Sequence, residues 1–585
     1  MKNVKNLFGM AVMATALVGC SSNDNLNPNA NDNAGKAGEA YASFKINLPT
    51  VSGTRADDPK PGEPSFNGGD ANEYAVNDAT LLVFKKVTEG GKDVYKYQEA
   101  VELGNMEPWT KKDPANGGIT TTAKMTAKLT NASVGSNDYY ALILLNNNYN
   151  AVAPTAKIKY PAENQSFSDW SKDAGNATPA NYLNYANGFF MANAPKYVAN
   201  GEPETLVKIS AIYASKQQAE NSTATTVYVE RGLAKVSLAE GSKKHVDIKA
   251  GNYKDDKVDI TGWTLDVTNT KTFPVHVTEG LWKDIWKTTV TPAATNDVTM
   301  GRFYDSKLTE FQRVYWGADP NYSDDYKTVP ACEGEFNLVA NQTDLSKAFK
   351  TGEDAKKPQY CLENTFDIDH MVQGQTTRVL FSAKYTPKDF KPGETFYKMG
   401  NSSQLWNADN VVAQIKAKAM EVFHETDANK VEVILTGTDL AKAGTHLITK
   451  ANVKHGTAEI EDADITAINT KLGFKEAKGT DPMVGLSTYV DGVSYYIARV
   501  KHFGDYLTKW EAGNDTYGSN NINWLGRYGV LRNNWYELSV SSVSGPGYPD
   551  VPKVNPTDPD DVNDQYINVE VKILDWAKRS QSVDL

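Results

Sequence analysis

The stretch TVYVERGLAKVSL, residues 226–238, alternates apolar and polar side chains on either side of one glycine. Alternation with a period of two is typical of β-strands that bury one face. Similar segments, rich in β-branched and aromatic residues, recur along the chain. The clearest are ATLLVFKKV (79–87), DVYKYQEAV (93–101), TTTAKMTAKL (120–129), DYYALILLNNN (138–148), ITGWTLDVTNT (260–270), TTRVLFSAKYTP (376–387), SYYIARVKHF (494–503) and NNWYELSVSSV (533–543). The pattern predicts an all-β chain with sandwiches over 56–225 and 226–545 and short helical insertions such as 407–423.

Length and composition limit the classes of function. The chain has 585 residues, of which 40% are hydrophobic and 23% charged, proportions that are typical of a folded protein. Its formal net charge is -11, so most of its surface would repel a phosphate backbone. We therefore exclude nucleic acid as a partner.

The amino terminus differs in kind from the rest of the chain. Lys2 and Lys5 precede the apolar run LFGMAVMATALVG (7–19), which is too short to span a bilayer as a permanent helix. This pattern predicts a secretory signal peptide over residues 1–19. The run ends in Leu-Val-Gly before Cys20, which resembles the bacterial lipobox, so we expect the Cys20 thiol to carry a diacylglycerol.

Residues 20–55 are interpreted as a lipidated tether followed by a first strand and the start of a loop. The tether is rich in Asn, Asp, Gly and Ser and has almost no apolar content, which is typical of a flexible linker. The strand lies in AYASFKINL (40–48), where every second residue is apolar and fit for burial. The alternating residues are Ala42, Phe44, Ile46 and Leu48.

The loop that follows this strand carries Arg55, the only arginine before Arg231. Beyond Arg55 the loop contains three prolines and several glycines, which prevent regular structure and leave the backbone open to proteases. An Arg-specific protease would therefore meet a single target in the first 230 residues.

The carboxyl terminus has a similar division into a linker and a strand. Residues 546–564 are rich in proline, which cannot pair in a central strand, and they are interpreted as an extended, semi-rigid spacer. Residues 565–585 contain a second alternating strand, which could be donated elsewhere or fold back on its own domain. Its apolar residues are Ile567, Val569, Val571 and Ile573.

Signatures of catalysis and of metal binding are missing from the sequence. There is no phosphate-binding glycine motif, no nucleophile elbow and no H-E-x-x-H pair. Asp367, Asp369 and His370 form a solvated turn in our interpretation, because strand alternation would point the imidazole away from both carboxylates. Five spacer residues lack the glycine and closing glutamate of a calcium loop. These are Asp558, Asp560, Asp561, Asn563 and Asp564. We expect no catalytic residue, no metal and no cofactor.

The remaining cysteines and the aromatic residues leave alternatives open. Cys332 and Cys361 are either a disulfide, which an exported protein permits, or two buried thiols. A bridge closing a loop of this length would stabilise the fold by roughly 3 to 4 kcal/mol in the chain-entropy model. The 30 Tyr and 11 Trp residues suit either sugar stacking or cross-strand packing in the sandwich cores.

Several longer stretches resemble one known family. They are VYVERGLAKVSL (227–238), YCLENTF (360–366), TTRVLFSAKYTP (376–387), YYIARVKHFGD (495–505), YGVLRNNWYELSV (528–540), VEVKILDW (569–576) and the terminal VDL. Together with the lipobox and the Arg55 loop, they resemble Bacteroidales fimbrillins, the lipoprotein-derived subunits of type V pili. The likeness is greatest to the shaft subunit of the minor, or short, fimbriae. The amino-terminal half is similar more by pattern, as in YYALILLNN (139–147).

The resemblance implies a fold and a maturation pathway. The fold would be two tandem transthyretin-like, Ig-like β-sandwich domains. The precursor would be exported as a lipoprotein and cleaved after Arg55, leaving Ala56 as the new amino terminus. Removal of the first strand would leave a groove, and the strand in 565–585 of another subunit would fill it.

The resemblance also implies partners and a location. The chain would be a non-enzymatic fimbrial shaft subunit that forms a head-to-tail homopolymer and supports adhesion and biofilm formation. Other partners would be the anchor and tip subunits of the pilus and an Arg-specific maturation protease. The precursor would be held at the outer membrane by its lipid, and the mature form would lie in surface fimbriae. The alternatives are a monomeric glycan-binding surface lipoprotein, or a tip or anchor subunit of the same pilus.

Overall fold

The structure is a computed structural model that describes most of the chain. The described residues are 39–48, 73–104, 106, 122–147, 156–186, 188–197, 203–280, 313–322, 328–478, 482–502, 525–560 and 567–575. Strands predominate over helices in these ranges, and the sheets enclose the main hydrophobic clusters. The predicted all-β class is confirmed.

The amino-terminal half forms one curved sheet of eight strands. Its strands are β1 (Ala40–Asn47), β2 (Ala79–Glu89), β3 (Lys92–Glu102), β4 (Thr122–Leu129), β5 (Tyr139–Leu145), β6 (Met191–Asn193), β7 (Val207–Lys208) and β8 (Thr225–Arg231). Their order is β3-β2-β5-β6-β8-β1-β4, with β7 paired to β5. The core of this half includes Leu81 of β2, Ile143 of β5 and Val227 of β8.

In its described ranges the second half contains one sheet of five strands, two of four strands and two of two strands. Its strands are β9 (Leu233–Leu238), β10 (His245–Asp247), β11 (Lys257–Asp266), β12 (Thr268–Asn269), β13 (Phe336–Asn337), β14 (Lys350–Thr351), β15 (Gln359–Leu362), β16 (Arg378–Thr386), β17 (Phe396–Met399), β18 (Leu405–Trp406), β19 (Val431–Val433), β20 (Gly444–His446), β21 (Val453–His455), β22 (Leu486–Tyr489), β23 (Val493–Arg499), β24 (Asn534–Val543) and β25 (Ile567–Asp575). The five-stranded sheet runs β10-β11-β16-β23, with β14 beside β11, and it packs on the four-stranded sheet β15-β9-β24-β25. Val236, Phe381, Tyr496 and Tyr536 join them in one core, as expected of a sandwich. The other four-stranded sheet runs β18-β17-β22-β20.

The helices are short insertions, as the sequence predicted. They are α1 (Phe167–Ser171), α2 (Pro179–Leu183), α3 (Lys216–Glu220), α4 (Val329–Glu335), α5 (Leu345–Ala348), α6 (Ala408–Phe423) and α7 (Asp462–Leu472). In α6, Asn407 caps the amino end by accepting a hydrogen bond from the Asn410 amide at 2.9 Å. The residues Val411, Ile415 and Ala419, four apart, are its buried face. The helix expected within 407–423 is present.

The junction between the halves lies beyond the predicted boundary. Strand β8 continues to Arg231 and pairs with β6 of the first sheet, whereas β9 begins at Leu233 and pairs with β24. A Cβ on Gly232 would lie 3.0 Å from ring atoms of both Phe190 and Tyr182, so any larger residue would have to displace these rings. The boundary predicted between residues 225 and 226 is therefore wrong. The alternation runs through 226–238, and only the strand partners show that it spans two sheets.

The predicted spacer runs along the second half rather than away from it. Val551 is buried, and the carbonyl oxygen of Pro552 accepts a hydrogen bond from Arg378 Nη2 at 2.8 Å. The carbonyl oxygen of Gly547 accepts another from the Tyr489 hydroxyl at 2.9 Å. Proline removes a backbone donor but leaves the carbonyl acceptors, so the segment can dock on a sandwich without joining a sheet. The segment predicted to be an extended, semi-rigid spacer is therefore docked on the second half over the described residues up to 560.

Candidate functional site

Strand β1 is inserted between two other strands of the first sheet. It pairs antiparallel with β4 over its whole length, from Ala40 opposite Leu129 to Asn47 opposite Thr122. Its other edge pairs in parallel with the first part of β8. Because both edges of β1 are bonded, its removal would leave unpaired backbone on both neighbours.

The inner face of β1 fills the core of the first sheet. Ala42, Phe44 and Ile46 are 0% exposed and Leu48 is 2% exposed. Burial of each large apolar side chain stabilises the fold by roughly 1.5 to 3 kcal/mol. The four alternating residues identified in the sequence therefore share one buried face.

The outer face of β1 is held by polar contacts. The Ser43 hydroxyl donates to the carbonyl oxygen of Ala219 in α3 at 2.7 Å, and Ser43 is 3% exposed. The backbone of Tyr41 exchanges two hydrogen bonds of 2.8 Å with Tyr213. Lys45 is exposed and lies directly opposite Lys124 of β4. These contacts place a helix over the middle of the strand and a pair of lysines near its end.

The predicted processing residues lie outside the described part of the chain. These residues are Cys20, Arg55 and Ala56. The next arginine, Arg231, is fully buried, and its Nε donates to the Glu73 carbonyl oxygen at 2.9 Å. Four further arginines are also buried and one is half-buried. The four are Arg313, Arg378, Arg527 and Arg532, and the half-buried one is Arg499. The arginines placed by the structure are therefore poor protease targets while the chain is folded.

Strand β25 lies at the edge of a sheet in the second half. It pairs antiparallel with β24, from Asn534 opposite Asp575 to Val543 opposite Ile567, with a bulge in β24. Val569 is half-buried and packs against the core of that half. In this monomer the tail has folded back on its own domain, one of the two arrangements that the sequence allowed.

The two remaining cysteines are not bridged. Cys361 in β15 is a buried free thiol, so it forms no disulfide with Cys332. Burial raises the pKa of Cys361 to about 12 and that of Cys332 to about 11. Both are therefore neutral and poorly nucleophilic at physiological pH.

A buried ion network lies where the two halves meet. Glu230 of β8 accepts from Arg313 Nη2 at 2.6 Å and lies 2.8 Å from His276 Nδ1. Burial alone would raise the pKa of Glu230, but Arg313 and His276 outweigh burial and hold that pKa below its ordinary value. Sequence patterns could not have found this network, because its members lie far apart in the chain.

The residues considered for metal binding do not form a metal site. Asp367 and His370 hydrogen-bond to each other, and the ring of Tyr322 stacks on His370 with centroids 4.5 Å apart. In this turn Asp367 and His370 are half-buried and Asp369 is exposed, so the predicted solvated turn is solvated only in part. Asp560 is buried and accepts a hydrogen bond from the Thr376 hydroxyl at 3.1 Å. Among the residues that the structure places, no cluster of three or more His, Cys, Asp or Glu could hold a metal ion.

A cleft of about 690 Å³ opens where the two halves meet, beside an aromatic cluster. Tyr185 is 39% exposed and stacks on Phe189 with centroids 4.7 Å apart. Lys350 and Lys357 also line the cleft.

No helix in the described ranges is long and apolar enough to cross a membrane.

The carboxyl-terminal part of the chain matches one family model. Residues 487–582 match the model described as major fimbrial subunit protein type IV, Fimbrillin, C-terminal. The matched range contains β23, β24 and β25, so the pairing of the tail with β24 lies within the part of the chain that is similar to fimbrillins.

The chain also has a weak likeness to solved structures. Two proteins of Parabacteroides distasonis, named for a provisional role in cell adhesion, are 12% and 11% identical with TM-scores of 0.35 and 0.30. Each covers 92% of this chain, and the matches span 98% and 99% of their own chains. A fimbrial assembly protein of the same organism is 13% identical, has a TM-score of 0.22 and covers 63% of this chain and 96% of its own. No curated protein matches the chain.

Proposed function

We propose that this chain is a fimbrillin, the shaft subunit of a surface fimbria, exported as a lipoprotein, cleaved after Arg55 and polymerised by strand exchange. The observation that carries the proposal is the position of β1. This strand fills the core between β4 and β8, and in the sequence it is followed by a proline-rich loop with one arginine. A cut in that loop separates a core strand from the rest of its domain.

Cleavage changes the competition for the groove between β4 and β8. Before the cut, β1 is tethered and competes at an effective concentration of about millimolar. After the cut, β1 and its lipid are a separate fragment, which loses this advantage when it dissociates. The groove then presents two strand edges and an apolar floor, the two features that bind an extended peptide.

The tail of another subunit is the proposed occupant of the groove. Strand β25 is bonded on one edge, to β24, so it can leave its own sheet with less disruption than an inner strand. Its alternating residues Ile567, Val569, Val571 and Ile573 have the spacing of the buried face of β1. A groove on one side and a donor strand on the other form a heterologous interface, which generates an open filament.

The remaining assignments follow from this proposal and from the resemblance to minor-fimbriae shaft subunits. The lipidated precursor would be held at the outer membrane through Cys20. The mature chain, starting at Ala56, would lie in the fimbria between an anchor and a tip subunit. Adhesion and biofilm formation would then be properties of the polymer.

The decisive experiment replaces the processing residue. Arg55→Ala should leave a full-length, lipidated monomer at the outer membrane, whereas Lys60→Ala in the same loop should mature normally. The readouts are amino-terminal sequencing of the surface form and SDS-resistant ladders of polymer. Fimbriae of ordinary length from the Arg55→Ala chain would refute the maturation step.

A second arm of the same experiment removes the donor. A chain ending at residue 565 keeps the groove and should be cleaved after Arg55, but it should not extend filaments. Circular dichroism and protease resistance report whether the sandwiches remain folded. Normal filaments from this chain would exclude the tail as donor.

A glycan-binding monomer is the second candidate, favoured by the cleft beside Tyr185. An exposed tyrosine ring beside lysine side chains offers a sugar both a stacking face and hydrogen-bond donors. Such a module would act with Cys20 still lipidated at its amino terminus. The Arg55→Ala chain separates the candidates, because a glycan binder keeps its surface activity and a shaft subunit loses its polymer.

A further inference from the structure

The outer face of β1 contains a pairing that works against the strand. Lys45 lies directly opposite Lys124 across the β1–β4 ladder, and both side chains are exposed. Like charges in directly opposed cross-strand positions are destabilising. The Lys124 ammonium donates to the carbonyl oxygen of Glu220 at 2.8 Å, and the resident strand places no acidic side chain directly opposite it.

The tail matches the resident strand residue by residue in one alignment. The segments are EAYASFKINL (39–48) and DQYINVEVKI (564–573). Tyr41 aligns with Tyr566, and the acidic Glu39 aligns with Asp564. At the unfavourable position, Lys45 is replaced by Glu570, which has the opposite charge.

We propose that the tail of a second copy enters the groove in the register of β1, with Ile567 at the position of Ala42 and Glu570 opposite Lys124. The proposal rests on the strand exchange proposed above and specifies its register. Exchange would then replace a like-charge pair with an oppositely charged pair at one cross-strand position.

A second contact of the resident strand supports this register. Glu39 forms an ion pair of 2.9 Å with Lys128, which is also on the outer face of β4. In the proposed alignment Asp564 takes the place of Glu39, so the acidic partner of Lys128 is kept. Lys124 and Lys128 are four residues apart on one strand, and they would face two acidic residues six apart on the donor.

Shifting the tail by two residues in either direction makes the fit worse. In one shift Glu570 falls at Ser43, where a carboxylate would be buried against the carbonyl oxygen of Ala219. The same shift places Lys572 opposite Lys124. In the other shift Tyr566 falls at the small, buried Ser43 site, which would be overpacked.

The apolar face tolerates the proposed register. Val569 is smaller than the Phe44 that it replaces, but Ile567 is larger than Ala42, two residues away on the same face. Cores accept sets of substitutions that keep total volume and alternation, with local repacking. At two further buried positions Val571 replaces Ile46 and Ile573 replaces Leu48, which are changes of one methylene or none. The exception is Gln565, which takes the position of the buried Ala40 at the end of the β1–β4 ladder.

Inter-subunit cross-linking tests the register in the full-length chain. One preparation carries Lys124→Cys, and three others carry Asn568→Cys, Glu570→Cys or Lys572→Cys. The acceptor is mixed with each donor, cleaved after Arg55, allowed to polymerise and oxidised. We expect a disulfide-linked dimer on non-reducing gels chiefly from the Glu570→Cys donor.

Each outcome of this experiment bears on a different claim. Polymer with cross-links chiefly from the Asn568→Cys or Lys572→Cys donor would overturn the register and leave strand exchange standing. Absence of polymer from the cleaved wild-type chain would overturn the proposed function itself. A single chain with Ser539→Cys and Glu570→Cys is the matched control, because these positions are opposite each other in the β24–β25 ladder before exchange.

Charge reversal gives an independent measurement after β1 has left. Polymers of the Glu570→Lys chain should dissociate about two- to fivefold more readily than wild type, the size of one cross-strand charge pair. Adding Lys124→Glu to the same chain should restore the wild-type dissociation rate. Equal weakening by both single changes without restoration in the double variant would contradict the pairing.

Discussion

Strands β1 and β25 have the same alternation but opposite positions in their sheets. Strand β1 is bonded along both edges, and its apolar face is 0 to 2% exposed. Strand β25 lies at a sheet edge, is bonded to β24, and its Val569 is half-buried. An inner strand dissociates only when two ladders and a core face separate together, whereas an edge strand needs one ladder to open. The difference explains why a protease would be required for one strand and not for the other.

The segments that connect β1 and β25 to the rest of the chain also differ. The loop after β1 tethers this strand to the rest of its domain. Cutting the loop removes the tether and with it the high effective concentration that favours rebinding of β1 to its groove. The segment before β25 is docked on the sandwich up to residue 560, through carbonyl contacts to Arg378 and Tyr489. The tail therefore starts from a defined exit point on the body of the subunit.

The largest expected effect comes from truncating the inner strand. In the uncleaved chain, Phe44→Ala should lower the free energy of unfolding by about 3 to 5 kcal/mol, because it leaves a cavity in a closed core. The matched change Val569→Ala in β25 should cost only about 1 kcal/mol. Urea unfolding of both variants measures the difference.

After maturation the order of the two effects on stability should reverse. Phe44→Ala should not affect the stability of the finished polymer, since β1 is gone, whereas Val569→Ala should weaken it. A polymer destabilised by Phe44→Ala would mean that β1 stays in the mature subunit.

An intermediate effect is expected from acid. The pKa of the Glu230 carboxyl, on the strand that flanks β1, is held below its ordinary value of 4.5, so its contribution to stability is complete above that pH. As the pH falls through the lowered pKa this stabilisation is lost, by about 1.4 kcal/mol for each unit of lowering. Hydrogen exchange corrected for intrinsic rates should show β1 losing protection before acid changes β25. In Glu230→Gln this part of the pH dependence should vanish.

The smallest expected effect is electrostatic. Lys45→Glu should stabilise the resident strand by about 0.2 to 1 kcal/mol, because it converts the pair with Lys124 into an attractive one. The release of β1 after cleavage should slow accordingly, and added salt should reduce the difference. Faster release would show that the lysine pair does not weaken β1.

Much of the fold was predictable because strand formation leaves a local record. Alternation located the main strands of both halves, and helix periodicity located α6. The boundary near residue 226 was misplaced because β8 and β9 are separated by Gly232 alone, and their membership of different sheets depends on distant partners. The docking of the spacer was missed because proline content predicts what a backbone cannot donate, not what its carbonyls accept.

The candidate site divides in the same way. The apolar faces of β1 and the tail could be identified from the sequence, but the lysines opposite β1 could not be paired with it in advance. Lys124 and Lys128 stand out in TTTAKMTAKL only once β4 is known to be the neighbour. The state of the cysteines was left open by the sequence, and the structure shows that Cys361 is a free thiol.

By itself the sequence determined the all-β class, the alternating faces of two strands, the isolation of Arg55 and the alignment of tail with resident strand. Only the tertiary structure decided that β1 is an inner strand, that β25 is an edge strand, and that Arg231 is buried. The physical reason is that a side-chain period of two specifies which residues share a face but not which strands lie beside them. Neighbours are chosen by packing and backbone pairing between segments far apart in the chain.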